Sequence, residues 1–275
     1  MCCRACESRC HHAFTGTFAR CEYKAIISDI DGTIAPLTWH SKVSAQVKKS
    51  IQQVQAKGIK FCLATGKPFS LVEHLINELE LSSPLIVDNG TGIYDASTKE
   101  VMWESTMKVE EMRPILEICQ TYNKRIRISD GRNPFDFTGS IPESAHFKKI
   151  VIMSIAKPDA EELIAKVENE YKNLAVTRAQ SYEGEDFLDI YITNAEGTKQ
   201  HAIVKLAEIL QISTSEMIGI GDHYNDFPLL MACGLKVAMG NAVPELKAIA
   251  DYIAPSVEEE GVVDVIEKFV LNGKS

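Results

Sequence analysis

The sequence has no hydrophobic run long enough to cross a membrane and no excess of positive charge. Its most apolar stretch, Ile150 to Ala156, has the length of a core strand, whereas a membrane-spanning helix needs about 20 apolar residues. Lys and Arg number 29 against 38 Asp and Glu, so the net charge is −9. Because nucleic acids require a clustered basic surface, we expect neither a membrane protein nor a nucleic-acid-binding protein.

The N-terminus lacks the apolar segment of a secretory signal, and most of the chain is poor in cysteine, which favours a cytoplasmic protein without disulfides. Cys62, Cys119 and Cys233 lie in apolar surroundings and are predicted core residues. The remaining cysteines crowd the N-terminus beside two histidines: Cys2, Cys3, Cys6, Cys10, Cys21, His11 and His12. Their spacing follows no standard zinc motif, so residues 1–22 are predicted to be a disordered extension, with a zinc site or redox tail as the alternative.

The 275 residues, 45% of them hydrophobic, are enough for a large core, and their patterns alternate between strand and helix. Short apolar runs over 24–30, 59–64 and 85–88 are separated by segments in which apolar residues recur at helical spacing. The same alternation resumes after residue 189. Strands and helices in this order predict right-handed βαβ units and one parallel sheet.

The middle of the chain has a different pattern. Its predicted elements follow an αββαββ order, which is typical of an α+β unit and not of a continued parallel sheet. We therefore predict an α/β protein with a Rossmann-like parallel-sheet core formed by residues 23–90 and 190–275. An α+β domain, residues 91–189, is predicted to be inserted into this core.

Two aspartates follow the first predicted strand, in the segment Asp29-Ile30-Asp31-Gly32-Thr33. Side chains two residues apart in a strand point the same way, so Asp29 and Asp31 should lie close together. Crowded carboxylates stay ionised only beside a cation or several donors, and hard oxygen ligands suit Mg²⁺. A carboxylate is also a possible nucleophile for a phosphoryl group. The alternative is an ordinary Asp-Gly turn.

Three further segments are predicted at the same edge of the parallel sheet. Thr65 and Gly66 follow the second strand and open a helix, so they form either an anion cradle or a simple N-cap. Lys199 begins a helix, where it is either a partner for an anion or a surface lysine. Asp222 and Asp226, in Gly-Asp-His-Tyr-Asn-Asp, supply either two more metal ligands or a helix cap. Ligands bind at this edge in such sheets.

These segments resemble the motifs of the haloacid dehalogenase-like phosphohydrolases. The resemblance covers the chain from about Tyr23 onward and includes the Asn89-Gly90 junction and the segment Met239-Gly240-Asn241-Ala242. The sequence is most similar to the Cof-like and archaeal phosphoglycolate phosphatase branch of this family, in which a large α/β cap is inserted after the third core strand. The resemblance implies that the inserted domain is this cap.

The resemblance also implies a role for each matching residue. Asp29 would be the nucleophile and a Mg²⁺ ligand, and Asp31 would be the general acid and base with its backbone carbonyl on the metal. Asp222 would bind Mg²⁺ directly and Asp226 would hold it indirectly. The phosphoryl group would be bound by Thr65, Gly66, Asn225 and Lys199.

Some positions differ from the pattern of the family. Lys67 stands where many relatives have Arg, and a lysine lacks the planar fork of a guanidinium group. His223 and Tyr224 replace small or polar residues; they are predicted to lie in a loop without a catalytic role, with a place at the entrance as the alternative. The roles of Trp39 and His40, in the loop over 34–42, stay open.

The resemblance places substrate selection in the cap, around Arg127–Phe137 and Gln180–Asp186. Arg132, Asn133 and Tyr182 are candidates for contact with a leaving group, although solvated loop positions are the simpler interpretation. We expect a Mg²⁺-dependent phosphatase of small phosphorylated metabolites, either a sugar phosphate or a phosphoglycolate-like acid. The alternatives are a phosphomutase, a sucrose-phosphate-type specialist, and a binding module that keeps this fold without turnover.

Overall fold

The computed structural model describes residues 23–37, 42–141 and 146–272. The N-terminal Cys- and His-rich segment lies outside the described residues, as do Trp39, His40 and Ser41, so the predictions for them stay predictions. Within the described part the strands are β1 Ala25–Ser28, β2 Lys60–Leu63, β3 Leu85–Val87, β4 Gly92–Tyr94, β5 Val101–Glu104, β6 Ile126–Ser129, β7 Pro134–Asp136, β8 Lys149–Ala156, β9 Leu174–Gln180, β10 Phe187–Asn194, β11 Met217–Gly221, β12 Leu235–Ala238 and β13 Tyr252–Ile253.

The helices of the described part are α1 Ala45–Ala56, α2 Phe69–Glu78, α3 Val109–Gln120, α4 Lys157–Glu170, α5 Lys199–Leu210, α6 Phe227–Ala232, α7 Pro244–Ile249 and α8 Gly261–Ile266. A π-helical turn over Glu267–Leu271 extends α8. Among these helices we find none with the length and apolar character that crossing a membrane requires.

The core is a five-stranded parallel sheet in the order β13-β12-β11-β1-β2. Residues of β1 lie between β11 and β2, so Ser28 has Ile220 on one side and Leu63 on the other. β3 continues this layer through a parallel bridge between Ala64 and Ile86. The predicted parallel-sheet fold is therefore confirmed, and the carboxyl ends of β1, β2 and β11 meet at one edge.

A short antiparallel sheet in the order β3-β4-β5 joins the core to the inserted segment. The hairpin of β4 and β5 falls within residues 91–189, yet its buried side chains Ile93, Tyr94 and Ala96 belong to the hydrophobic cluster of the core. The second cluster of buried side chains begins at Met107 and ends at Ile192. We therefore propose that the inserted domain begins after this hairpin, close to residue 105.

The inserted cap is a five-stranded antiparallel sheet in the order β7-β6-β8-β10-β9, with α3 and α4 packed on one face. Because side chains alternate along a strand, the isoleucines of β6, β8 and β10 face the helices. They are Ile126, Ile128, Ile150, Ile152, Ile190 and Ile192, and Ile155 of β8 joins them because the strand is irregular at Ser154, whose φ is +51°. The residues between them, such as Arg127, Val151 and Tyr191, share a row on the opposite face, which points towards the core.

Three local features differ from the sequence pattern. The Gly- and Pro-containing segment over 131–142 is predicted from the sequence to be a loop, but it contains β7, which accommodates Pro134 because it is an edge strand without a second neighbour. Helical spacing in the sequence predicts Leu71 on the buried face of α2, but Leu71 is 45% exposed and Val72 is buried. The sequence offers Ser41 as the N-cap of the first helix, whereas the N-cap of α1 in the structure is Ser44, whose hydroxyl accepts the N–H of Val47.

Candidate active site

Three aspartates converge at the carboxyl edge of the parallel sheet. Asp29 follows β1, and its N–H donates to the carbonyl of Ile220 in β11, at 3.0 Å. Asp222 follows β11, and Asp226 lies one short turn further along the chain. One carboxylate oxygen from each of the three aspartates lies within 4.8 Å of the other two. The edge therefore presents a cluster of hard oxygen donors, as a divalent cation requires.

Lys199, at the start of α5, is buried between two of these carboxylates. Its side chain is 1% exposed, and Nζ lies 2.7 Å from Oδ1 of Asp29 and 2.5 Å from Oδ1 of Asp226. The second oxygen of Asp226 accepts the N–H groups of Asp222, at 3.0 Å, and His223, at 3.2 Å. Asp226 thus fixes both the lysine and the loop that carries Asp222.

One lysine does not balance the negative charge of the three clustered carboxylates. Burial, and then the charge of Asp226, raise the pKa of Asp29 to about 7, against the opposing effect of Lys199. Burial and the neighbouring charges of Asp226 and Asp29 also hold the pKa of Asp222 well above its ordinary value. Burial alone would lower the pKa of Lys199, but its ion pairs with Asp226 and Asp29 outweigh burial and raise it. An additional cation would relieve this repulsion, so the residues fit a metal ion.

Gly32 allows the segment after β1 to lie close to Asp222, which follows β11. Its φ is +78°, and a Cβ atom there would lie 2.2 Å from Oδ2 of Asp222. The hydroxyl of Thr33 donates to Oδ1 of Asp222 at 3.2 Å, and the side-chain amide of Asn241 donates to the carbonyl of Gly32 at 2.8 Å. Only glycine fits this turn, because any side chain would displace the carboxylate of Asp222.

The segment after β2, Thr65-Gly66-Lys67, forms a compact loop. Because the family resemblance implies that Thr65 and Gly66 bind the phosphoryl group, this segment is named the phosphate loop. The N–H of Lys67 donates to Oγ1 of Thr65 at 3.1 Å, and its Nζ lies 2.7 Å from Oδ1 of Asp31. Asn89 packs beside Gly66, and its Oδ1 lies 3.5 Å from Nδ2 of Asn225. Nδ2 of Asn89 is buried and has no hydrogen-bond partner among the described residues, so it is available to an anion.

A cavity extends from the aspartates to the cap. The parallel-sheet part contributes Leu37, Pro68 and Leu71, and the cap contributes mainly Arg127, Val151, Met153, Tyr182 and Tyr191. Of the candidates for substrate contact, Tyr182 lines this cavity, while Arg132 and Asn133 do not. Arg132 instead places its guanidinium over Phe69, 5.1 Å from the ring centroid, because α2 offers an aromatic surface beside it.

His223 and Tyr224, which lie between Asp222 and Asp226 in the sequence, contact the cap. Nδ1 of His223 accepts the N–H of Gln180 in β9 at 3.2 Å, and His223 lines the cavity. Burial lowers the pKa of His223 to about 4, so the neutral ring accepts this bond. The guanidinium of Arg178 lies 4.2 Å from the ring centroid of Tyr224, whose hydroxyl donates to Glu245. The position of His223 therefore agrees with the alternative of a place at the entrance, whereas Tyr224 contacts Arg178 and Glu245 and is not among the residues that line the cavity.

A second charged cluster at this edge, formed by Asp88, Ser129 and Lys149, is not predicted from the sequence pattern. Nζ of Lys149 lies 2.5 Å from Oδ1 of Asp88, and the hydroxyl of Ser129 donates to the other oxygen of Asp88. The sequence does show a lysine, Lys149, as the first residue of the apolar strand β8. Because side chains alternate along a strand, Lys149 faces the cavity together with Val151 and Met153.

Comparison with known proteins agrees with this arrangement. A family model described as haloacid dehalogenase-like hydrolase matches residues 26–139 and 132–266. The chain is 27% identical over 253 residues to the 5-amino-6-(5-phospho-D-ribitylamino)uracil phosphatase YcsE of Bacillus subtilis, covering 91% of this chain and 97% of that protein. It is 23% identical over 248 residues to phosphoglycolate phosphatase 1 of Saccharolobus solfataricus, covering 90% and 96%.

The fold is likewise shared with solved structures. A phosphatase from Bacteroides thetaiotaomicron superposes with a TM-score of 0.78 at 22% identity, covering 94% of this chain and 98% of the other. The family match spans most of the chain and the relatives named above are phosphatases. The chain belongs to the haloacid dehalogenase-like hydrolases, in the Cof-like subfamily, and is a phosphoric monoester hydrolase.

Proposed function

We propose that the protein is a Mg²⁺-dependent phosphatase that hydrolyses small phosphorylated metabolites through an aspartyl-phosphate intermediate. The observation that carries this proposal is Lys199, which lies between Asp29 and Asp226 while Asp222 completes the carboxylate cluster. A module that only binds would gain nothing from such crowded, desolvated charges. Three described cysteines are free, which supports a reducing compartment and a cytoplasmic location.

The metal would be held by Asp29, Asp222 and the backbone carbonyl of Asp31, with Asp226 fixing the site through its hydrogen bonds. Mg²⁺ would supply positive charge that neutralises the phosphoryl oxygens. The chain itself supplies the remaining donors. Lys199 faces the nucleophile, and the phosphate loop with Asn89 and Asn225 would bind the phosphoryl oxygens.

The reaction then proceeds in two displacements. An oxygen of Asp29 attacks phosphorus and the bond to the leaving oxygen breaks, while Asp31 donates its proton to that oxygen. Water next attacks the aspartyl phosphate, Asp31 takes a proton from the water, and the Asp29–phosphorus bond breaks. Inorganic phosphate and free Asp29 result. Lys67 contacts Oδ1 of Asp31 and would orient this acid and base.

The cap wall of the cavity favours a ring-bearing leaving group over a small acid. Four adjacent strands, β6, β8, β10 and β9, contribute to this wall, so it is about 14 Å across at a spacing of about 4.8 Å per strand. A two-carbon acid covers only a small part of a wall of this width, which includes Val151, Met153 and Tyr182, whereas a sugar-sized group covers more of it. A sugar phosphate, or a metabolite of similar size, is therefore the proposed substrate.

A panel of phosphorylated metabolites tests this function. We expect release of inorganic phosphate with Mg²⁺, and a kcat/KM for the best sugar-sized phosphate at least about 10-fold above that for phosphoglycolate, because apolar contact with the leaving group contributes about 1–3 kcal/mol. A higher kcat/KM for phosphoglycolate would contradict the substrate assignment. Dependence on a sugar diphosphate activator, with isomerised and not hydrolysed product, would identify the phosphomutase alternative.

Gly32→Ala is expected to weaken metal binding. The new Cβ would collide with Oδ2 of Asp222, so the carboxylate must move away from Asp29. We expect the Mg²⁺ concentration for half-maximal activity to rise about 10- to 100-fold, the usual effect of disturbing groups that orient metal ligands. Gly58→Ala is the matched control, because its φ is also +78° but its Cβ would meet no atom within 4 Å. An unchanged Mg²⁺ requirement in Gly32→Ala would contradict the proposed metal site.

A further inference from the structure

A buried lysine of the cap contacts the phosphate loop of the core. Lys149 is the first residue of β8, and its side chain is 3% exposed. Nζ donates to the carbonyl of Gly66 at 2.6 Å and also forms the ion pair with Asp88 at 2.5 Å. Asp88 follows β3 and is fully buried. This lysine of the cap is therefore bound to the core at two points, the carbonyl of Gly66 and the carboxylate of Asp88.

These contacts fix one peptide group of the phosphate loop. The carbonyl of Gly66 accepts from Lys149, and the N–H of Lys67, which belongs to the same peptide group, donates to Oγ1 of Thr65. The carbonyl of Lys67 in turn accepts the N–H of Asp88 at 3.0 Å. Because Oγ1 of Thr65 accepts the hydrogen bond from the N–H of Lys67, the hydroxyl proton of Thr65 can donate to a phosphoryl oxygen. The orientation of the same peptide group also positions the side chain of Lys67, whose Nζ donates to Asp31.

Stability alone does not account for a lysine at this position. Removing two charges from water costs free energy, and a buried ion pair is often no more stabilising than apolar residues of similar volume. An apolar side chain could fill the space beside Tyr191, over whose ring Nζ lies at 5.2 Å. It could not, however, donate to the carbonyl of Gly66. The hydrogen bond to the phosphate loop is the feature that only a donor can provide.

We propose that Lys149 is a positioning residue for phosphoryl transfer, held in place by Asp88 and acting through the Gly66–Lys67 peptide. It fixes the phosphate loop from the cap, so the loop is fully ordered only when the cap is docked on the core. Ser129, also in the cap, supports the arrangement by donating to Asp88. This inference rests on the proposed function, because it assigns the loop to the phosphoryl group.

Lys149→Met tests the inference. We expect kcat to fall about 100-fold for every phosphate ester, whatever its leaving group, because small misplacements of binding groups have effects of this size. Inhibition by orthovanadate, which imitates the phosphoryl group in transfer, should weaken by about 10-fold or more. The Mg²⁺ requirement should stay within about 2-fold, since Lys149 contacts none of the three clustered aspartates.

Lys148→Met is the matched control. The side chain of Lys148 is 4% exposed and pairs with Glu104 at 2.7 Å, so it is an equally buried lysine with a carboxylate partner. Its Nζ donates to Glu104 and not to the phosphate loop. We expect this variant to lose stability but to keep kcat and orthovanadate affinity within about 2-fold. A similar loss of kcat in both lysine variants would overturn the proposal.

The double variant Asp88→Asn, Lys149→Met separates positioning from stability. Lys149→Met alone leaves the Asp88 carboxylate buried without its cation, which is strongly destabilising, whereas removing both charges relieves that cost. Asn also tolerates the φ of +51° at residue 88. The double variant should therefore recover thermal stability but keep the defects in kcat and orthovanadate binding. Recovery of all three would overturn the proposal and leave a purely structural ion pair.

The failure of this inference is distinguishable from failure of the proposed function. If the unaltered protein hydrolyses phosphate esters and Lys149→Met matches it in kcat and orthovanadate affinity, only the positioning role is wrong. If the unaltered protein neither hydrolyses these esters nor binds orthovanadate by calorimetry, the proposed function fails and the positioning role fails with it.

Discussion

Asp29→Asn is expected to abolish turnover while the protein stays folded. An amide oxygen is a poor nucleophile, so the aspartyl phosphate cannot form. We expect kcat to fall at least about 10⁴-fold, as it does when a catalytic nucleophile is removed elsewhere. The substitution also removes one of the crowded carboxylates, and Lys199 keeps its partner Asp226. Release of inorganic phosphate under saturating substrate and Mg²⁺ is the measurement.

Two comparisons make the Asp29 result specific. Asp251→Asn removes a carboxylate that pairs with Lys236 on β12, away from the site, and should retain full activity. Asp222→Asn should also lose activity but partly regain it at high Mg²⁺, because its proposed role is metal binding. Turnover by Asp29→Asn above about 1% of the unaltered enzyme would show that another group attacks phosphorus.

The parallel core could be predicted from the sequence because its strands are apolar runs between helices of regular spacing. Once the strands are parallel, their carboxyl ends must share an edge, and this rule predicts that Asp29 and Asp222 lie together although they are 193 positions apart along the chain. The structure places Lys199 between Asp29 and Asp226, in buried ion pairs and not as a surface lysine. Sheet topology therefore predicted that the aspartates meet, whereas the place of Lys199 beside them followed from the family resemblance and not from its local pattern.

The contacts between cap and core could not be predicted in the same way. Lys149 looks in the sequence like a charged residue at the start of a strand, and only the docking of two separate sheets brings it to Gly66. The prediction that Leu71 is buried was wrong for a related reason, because helical periodicity does not reveal that a cavity lies beside α2. β7 was missed because its proline is compatible with a strand only at a sheet edge, and edges are a property of the assembled sheet.

The requirement for a metal ion is tested by chelation. EDTA is expected to reduce turnover to background, and Mg²⁺ to restore it, because three carboxylate oxygens within 4.8 Å of one another then lack their counter-charge. Ca²⁺ is a useful comparison: it also prefers oxygen ligands but takes six to eight of them at longer distances, so it should bind and support less turnover. Undiminished turnover in EDTA would contradict the metal site.

The same crowding predicts how the stability of the metal-free protein depends on pH. The pKa of Asp29 is raised from 3.8 to about 7, first by burial and then by Asp226, so the folded protein binds this proton more tightly than the unfolded chain. Stability from this group is complete below about pH 4 and is lost as the pH rises towards 7. Thermal unfolding in EDTA should therefore show a lower Tm at pH 8 than at pH 5.5.

Mg²⁺ should reverse that trend, because a cation beside Asp29 and Asp222 favours their charged forms and binds only the folded protein. The rise in Tm on adding Mg²⁺ should be larger at pH 8 than at pH 5.5. Asp29→Asn should flatten the pH dependence measured in EDTA, while Asp251→Asn should leave it unchanged. The buried His223, whose pKa is lowered to about 4, contributes in the opposite direction, so the comparison with the variant is the decisive one. If Asp29→Asn showed the same change in Tm between pH 5.5 and 8 in EDTA as the unaltered protein, the raised pKa of Asp29 would be contradicted.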